Sequence, residues 1–340
     1  MTTLVTPTTG RRRPATATTA LVAMVAVGAA LSLTVGSRAI PVHEVWAALT
    51  AHDPANADQA VVAARLARTV VGLLAGGALG LAGATMQGLT RNPLADPGLL
   101  GVNAGAALAM VLAISVLGVT GLGGYLWFAF LGAAVAAVTV HAIAGLGHGG
   151  ATPVKLAVAG AALTAGLSSW TTALLLTDRQ TLDTFRFWQV GTVGGRALDV
   201  VWPVLPFLAV GAVLALVGGR LLNVLALGDD LARGLGRRAG LDRVVAGLAI
   251  VLLCGGATAL AGPVAFVGLL GPHLARILVG ADYGRVLPAS LALGATLVVL
   301  ADTAGRVVLP PTEVQVGIMT AVVGVPVFLV LVRRGRMGSL

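Results

Sequence analysis

The stretch Val70-Val-Gly-Leu-Leu-Ala-Gly-Gly-Ala-Leu-Gly-Leu-Ala-Gly-Ala-Thr-Met86 holds no charged residue, and none occurs between Arg68 and Arg91. A run of roughly 20 apolar residues is what an α-helix needs to cross the hydrocarbon core of a bilayer. Working outward, comparable runs recur near 15–36, 66–88, 98–118, 122–145, 154–176, 198–218, 243–262, 264–280, 286–305 and 315–332, the eighth being short. The composition agrees: 57% of the 340 residues are hydrophobic and 10% are charged, against about 25% in an ordinary soluble domain. The 35 charged residues could not cover the surface of a soluble protein of this length. The expectation is an all-α integral membrane protein, a bundle of about ten transmembrane helices, with a cytoplasmic tail over 1–14 and one membrane domain over 15–335.

Charge placement orients the bundle. With the N-terminus inside and the spans alternating, fifteen Lys and Arg fall inside and seven outside, giving +10 inside and −1 outside and reproducing the total of +9. That asymmetry is the positive-inside pattern, so both termini are expected in the cytoplasm. Arg11-Arg12-Arg13 before the first span looks like a secretory signal, but the apolar run exceeds the 7–15 residues of a signal core and reads as an uncleaved anchor. Lys155 is the only lysine and lies between Val154 and Leu156. A phosphate-binding loop of the form G-x-x-x-x-G-K followed by Ser or Thr is thus missing, and any ATP must be bound by another chain. Scarce aromatics and scattered arginines speak against nucleic acid. The lone Cys254 makes no internal disulfide and reads as a small core residue.

Function should sit in the polar interruptions. Gly72, Gly76, Gly80 and Ala84 form a small-residue stripe, either for tight helix packing or for lining a pore. Gln87, Arg91, Asn92, Pro93, Asp96 and Pro97 make an inside turn set by two prolines. Arg65 and Arg68 share a helical face on the outside, against the charge trend, and either snorkel to headgroups or meet an acidic partner. The inside loop 220–242 carries Leu227, Gly228, Asp229, Asp230, Ala232, Arg233, Leu235 and Gly236. Its acidic pair suits a helix N-terminus, and leucines four apart give a short amphipathic helix that packs on the membrane, the bundle or a partner. Gly262-Pro263 and Gly271-Pro272, nine residues apart, break the eighth span around Gly268, and His273 follows as a loop or capping residue. Asp302 and Arg306 are spaced to pair. The five histidines lie apart, so no metal site is expected.

Taken in order, these segments resemble the FecCD family of ABC-importer permeases for iron–siderophore complexes, haem and cobalamin. The matching pieces are R-L-A-R at 65–68, G-x-x-x-Q-x-x-x-R-N-P-L-A-x-P at 83–97 and L-N-x-L-x-L-G-D-D-x-A-x-x-L-G at 222–236. G-P-V-A-F-V-G-L-x-x-P-H-x-x-R at 262–276 and E-x-x-V-G-x-x-T-A-x-x-G-x-P-x-F at 313–328 complete them. The family usually has Pro at Ala67 and often Glu at Asp229 and Asp230; both departures keep the charge.

The resemblance implies a permease in the inner membrane, paired with an identical or related permease, two cytoplasmic ATPase subunits and an extracytoplasmic binding protein. It places ATPase coupling in the 220–242 loop. It assigns docking of acidic residues of the binding protein to Arg65, Arg68 and Arg306. The cargo arrives already chelated, so neither cofactor nor metal site is implied, and an iron–siderophore leads over haem and cobalamin. An ion-coupled secondary transporter is the competing class, and it would bury unpaired carboxylates at mid-membrane. The acidic residues instead sit at span ends and in loops.

Overall fold

Helix α3 (Ala57–Thr90) runs through the middle of the bundle and is buried for most of its length. Asn56 starts it, its side-chain oxygen accepting the N–H groups of Asp58 and Gln59. Arg91, in the left-handed conformation ahead of Asn92-Pro93, ends it. At about 1.5 Å per residue its 34 residues reach about 51 Å, beyond the roughly 30 Å hydrocarbon core. The small-residue stripe explains why α12 (Tyr283–Val308) lies so close to it. A Cβ on Gly76 would stand 2.4 Å from the Gly294 carbonyl oxygen, and one on Gly80 2.2 Å from that of Ser290. Backbone meets backbone there, so the stripe packs helices and lines no pore.

The computed structural model describes residues 14–51, 53, 55–119, 122–146, 152–226, 228, 234 and 239–333. Among them the chain forms thirteen α-helices and no strand. The other helices are α1 (Pro14–Thr34), α2 (Val42–Thr50), α4 (Val102–Ser115), α5 (Leu122–Gly145), α6 (Pro153–Thr177), α7 (Arg179–Gln189), α8 (Val201–Val217), α9 (Gly219–Ala226), α10 (Ala239–Ala261), α11 (Val267–Val279) and α13 (Val316–Arg333). Around α3 pack α10, α11 and α12; α4, α5 and α6 form a second group, α1 lies on α12, and α8 on α10. Among the described residues, seven helices are long and apolar enough to cross a membrane, and α4, α11 and α13 are shorter apolar helices. Together these ten fall on the ten expected runs.

Two short outer helices escaped the hydropathy reading. In α2, Val45 joins Leu33, Ile40 and Val62 in a small separate core. In α7, Thr181, Phe185 and Trp188 are buried, and the Asp178 side chain accepts the N–H groups of Gln180 and Thr181 at the start. Both helices are amphipathic and lie across the ends of spans, so their sequences lack a continuous apolar run.

Candidate functional site

The outer ends of α1, α3 and α12 meet in a cluster of charge. Arg65, 6% exposed, turns inward. Its Nη1 donates to the carbonyls of Leu33 and Thr34 at 3.0 and 3.2 Å, and its Nη2 to that of Arg38 at 2.6 Å. Arg306, 2% exposed, donates from Nη1 to the Ser32 carbonyl at 2.9 Å and from Nη2 to Ser32 Oγ and Thr303 Oγ1 at 2.8 and 2.9 Å. The last carbonyls of α1 have no partner within their own helix and carry its negative dipole end, which two guanidiniums satisfy. Arg68 Nε donates to both oxygens of Asp302 at 2.9 and 2.8 Å, and its Nη1 to Glu313 at 2.5 Å. Arg306 Nε lies 3.4 Å from Asp302, the expected i,i+4 pair. The three arginines assigned to docking therefore come together. Arg65 and Arg306 hold helix ends internally, while Arg68 reaches the rim beside the half-exposed Glu313.

At the opposite end, three motifs far apart in sequence converge. Pro272 sits inside α11 and has no N–H to give the carbonyl of Gly268 one turn earlier. Gln87 of α3 supplies the missing donor, its Nε2 donating to Gly268 O at 3.2 Å. Gln87 Oε1 in turn accepts from Arg276 Nη1 at 2.6 Å, and Arg276 Nη2 donates to Tyr283 Oη at 3.3 Å. Gly83 and Gly268 bring the two backbones together, a Cβ on Gly83 standing 2.0 Å from Gly268 O. Asp96 and Pro97 of the inside turn close over Gly268. Asp96 accepts from Gly98 N at 2.8 Å, and burial pushes its carboxyl up from the ordinary range. Arg91, Asn92 and Pro93 lie at the exposed edge of this turn, Arg91 lining a cleft between α3, α5 and α10. His273 corrects the loop or capping reading: it is 3% exposed within α11, and neither ring nitrogen has a hydrogen-bond partner among the described residues.

The chain enters the 220–242 loop through α9, which buries Leu221, Leu222 and Leu225 against the bundle. Its Asn223 is tied to the start of α12. Asn223 Nδ2 donates to Asp282 Oδ1 at 2.7 Å, and Tyr283 N donates to Asn223 Oδ1 at 2.9 Å. The Asn223 amide, the Gly284 N–H and Arg285 hold the Asp282 carboxyl below its usual range. Gly228 follows with φ 113°. Leu227, Asp229, Asp230, Ala232, Arg233, Leu235 and Gly236 lie outside the described residues. A path of contacts thus leads from the loop through Asn223, Tyr283, Arg276 and Gln87 to Gly268, a sequence of pairings that no single motif displayed.

The break between α10 and α11 spans Gly262 to Phe266, both ends in the left-handed conformation. The segment after α7 threads through it. Thr192 N donates to Ala261 O at 2.7 Å, and Gly317 N at the start of α13 to Gly191 O at 3.1 Å. A Cβ on Gly262 would lie 2.4 Å from Trp188 O, so Gly262-Pro263 is a crossing of backbones and Gly268-Pro272 belongs to the inner cluster.

One membrane helix has an unusual surface. In α6, Ala165, Gly166, Ser168, Ser169 and Thr172 are exposed, and only 17% of its most apolar window is buried. Ser169 and Thr172 turn their hydroxyls back to the carbonyls of Ala165 and Ser168.

A model described as the FecCD transport family matches residues 24–334. The ferric enterobactin transport system permease protein FepD of Escherichia coli (strain K12) is 45% identical over 320 residues, covering 94% of this chain and 95% of FepD. The Fe(3+)-citrate import system permease protein YfmD of Bacillus subtilis (strain 168) is 41% identical over 309 residues, covering 91% of this chain and 92% of YfmD. A solved chain described as a metal-chelate type ABC transporter in an inward-facing conformation superposes with a TM-score of 0.81 at 27% identity, covering 94% of this chain and 99% of its own.

Proposed function

This chain belongs to the FecCD transport family of ABC transporter permease subunits, which are not themselves catalytic, and from that premise we propose that it passes an iron–siderophore complex into the cytoplasm along a path between two permease subunits. The observation that carries the path is the exposed face of α6. Hydroxyls and glycine on a membrane helix gain nothing from lipid, but they suit a second subunit and a water-filled route for a large polar cargo. The iron chelates named for FepD and YfmD favour a siderophore over haem or cobalamin.

Two ATPase subunits dock at the 220–242 loop, with Asp229 and Asp230 contributing to the contact. Movement there reaches the bundle through Asn223 and the start of α12, as a rigid shift of packed helices. The binding protein docks at the other end. A carboxylate from outside takes the place of Glu313 on Arg68, whose planar fork suits bidentate pairing. Arg65 and Arg306 keep the helix ends beneath it in position.

The test is ATP-driven uptake by the permease reconstituted with its ATPase and binding protein, offering ferric siderophores, haem and cobalamin. Uptake of a ferric siderophore that disappears on Asp229→Ala/Asp230→Ala, with membrane insertion unchanged, is expected. Transport of haem or cobalamin alone overturns the cargo assignment, and uptake without ATP overturns the class.

A further inference from the structure

We propose that α2 is seated in the outer leaflet of the bilayer, its Val42, Trp46 and Leu49 stripe lying at the boundary between headgroups and acyl chains. At about 1.5 Å per residue its nine residues reach about 14 Å, too short to cross a roughly 30 Å core. Helical spacing divides its surface into three sides. Val45 and Ala48 face the bundle, where Val45 shares a small core with Leu33, Ile40 and Val62. His43, Ala47 and Thr50 make a second side. Val42, Trp46 and Leu49, at i, i+4 and i+7, make the third, and they are 74%, 69% and 49% exposed. Bonds around α2 fix which way this stripe faces. Glu44 Oε2 accepts from Asn56 Nδ2 at 3.2 Å, and the linker before α2 is tied by Ile40 N to Thr34 O at 2.9 Å and by Arg65 Nη2 to Arg38 O at 2.6 Å. Arg38 Nη2 in turn lies 2.8 Å from Asp58 Oδ1 at the start of α3.

The level of α2 fits lipid. Leu33, in the core it shares with Val45, belongs to the last turn of α1, where the first apolar run leaves the hydrocarbon. Below that turn α1 shows lipid an apolar surface of its own: Val27, Leu31 and Val35, four residues apart, are exposed and lead up to the linker into α2. The α2 stripe continues this surface at the head of the span. Tryptophan collects at the membrane–water interface, and a helix with one apolar and one polar face lies there in the plane of the membrane. The stripe carries no charge, so a partner protein that docks through carboxylates, the kind Arg68 suits, finds no counterpart on it.

The experiment places a nitroxide on single cysteines of the full-length Cys254→Ser permease in phosphatidylcholine vesicles: Val42→Cys, Trp46→Cys and Leu49→Cys on the stripe, His43→Cys and Thr50→Cys on the polar side. Oxygen, which dissolves in lipid, should relax the three stripe labels, and nickel ethylenediaminediacetate, which stays in water, should not. The order should reverse at 43 and 50, and adding the binding protein should leave the stripe unchanged. Nickel reaching 42, 46 and 49 overturns the proposal. Shelter that arises at these positions only when the binding protein is added makes the stripe a protein-docking face and overturns it too. A second measurement needs no label: phosphatidylcholine brominated near the headgroup should quench part of the parent's tryptophan fluorescence, and that part should be missing from Trp46→Phe. Equal quenched components in parent and Trp46→Phe would contradict the seating of α2.

Discussion

The two ends of the bundle hold their buried arginines in opposite ways. Outside, Arg65, Arg68 and Arg306 are set against Asp302, Glu313 and the end of α1, so charge meets charge and dipole. Inside, Arg276 bonds to Gln87 and Tyr283, with no carboxylate in ion-pair range among the described residues. A desolvated ionic cluster is strongly destabilised when one member is lost. Neutral hydrogen bonds exchange partners at about 1 kcal/mol each. In the proposed function, the outer end stays together under a docking partner, and the inner end exchanges hydrogen bonds as the ATPases move.

The largest effect should come from Asp302→Asn. Removing this carboxylate leaves Arg68 and Arg306 short of an acid, at a cost of about 3–5 kcal/mol, seen as loss of folded permease and a lower unfolding temperature in detergent. A variant as stable as the parent would show that the cluster does not hold the outer end. Gln87→Leu should cost about 1–3 kcal/mol, because both the Gly268 carbonyl and Arg276 lose a partner. Pro272→Ala restores an N–H one turn after Gly268, so the same Gln87→Leu change should cost less in that background. The difference, about 0.5–3 kcal/mol in a double-mutant cycle, measures the pairing directly. A zero difference would break it.

The smallest effect on stability belongs to Asn223→Ala, about 0.5–1.5 kcal/mol, with a clearer drop in cargo moved per ATP hydrolysed. Asn223 holds the Asp282 carboxyl below its ordinary range. That contribution is complete above the usual carboxylate range and fades as pH falls through the lowered value. The gap between parent and Asn223→Ala should therefore narrow on acidification below the ordinary carboxylate range. A gap that widens there would contradict the assignment.

The ten spans were legible because hydropathy and charge asymmetry report directly on lipid and topology. Gly76 and Gly80 were legible too, as spacing, and the structure gave the partner: carbonyls of α12. The two outer helices were not, because α2 and α7 bury only one face and leave Trp46 and Phe187 exposed. For the arginines the sequence showed position but not direction. Nothing local to Arg65 reveals that the unsatisfied carbonyls of α1 lie within its reach. Likewise Gln87 and Pro272 each stood out, but their connection is a donor in one helix replacing the donor missing from another, which only the packing of α3 on α11 brings about.

The central claim, a polar route along α6, is tested most directly by water-soluble thiol labelling of the assembled transporter. Native Cys254 is buried out of reach of a water-soluble reagent, and Cys254→Ser removes it altogether for a quiet background. With Ser169→Cys on α6 and Val138→Cys on the exposed apolar side of α5, the account predicts labelling at position 169 alone, and ATP-driven uptake blocked once it is labelled. Labelling at 138 but not at 169, or full uptake with 169 modified, would contradict it.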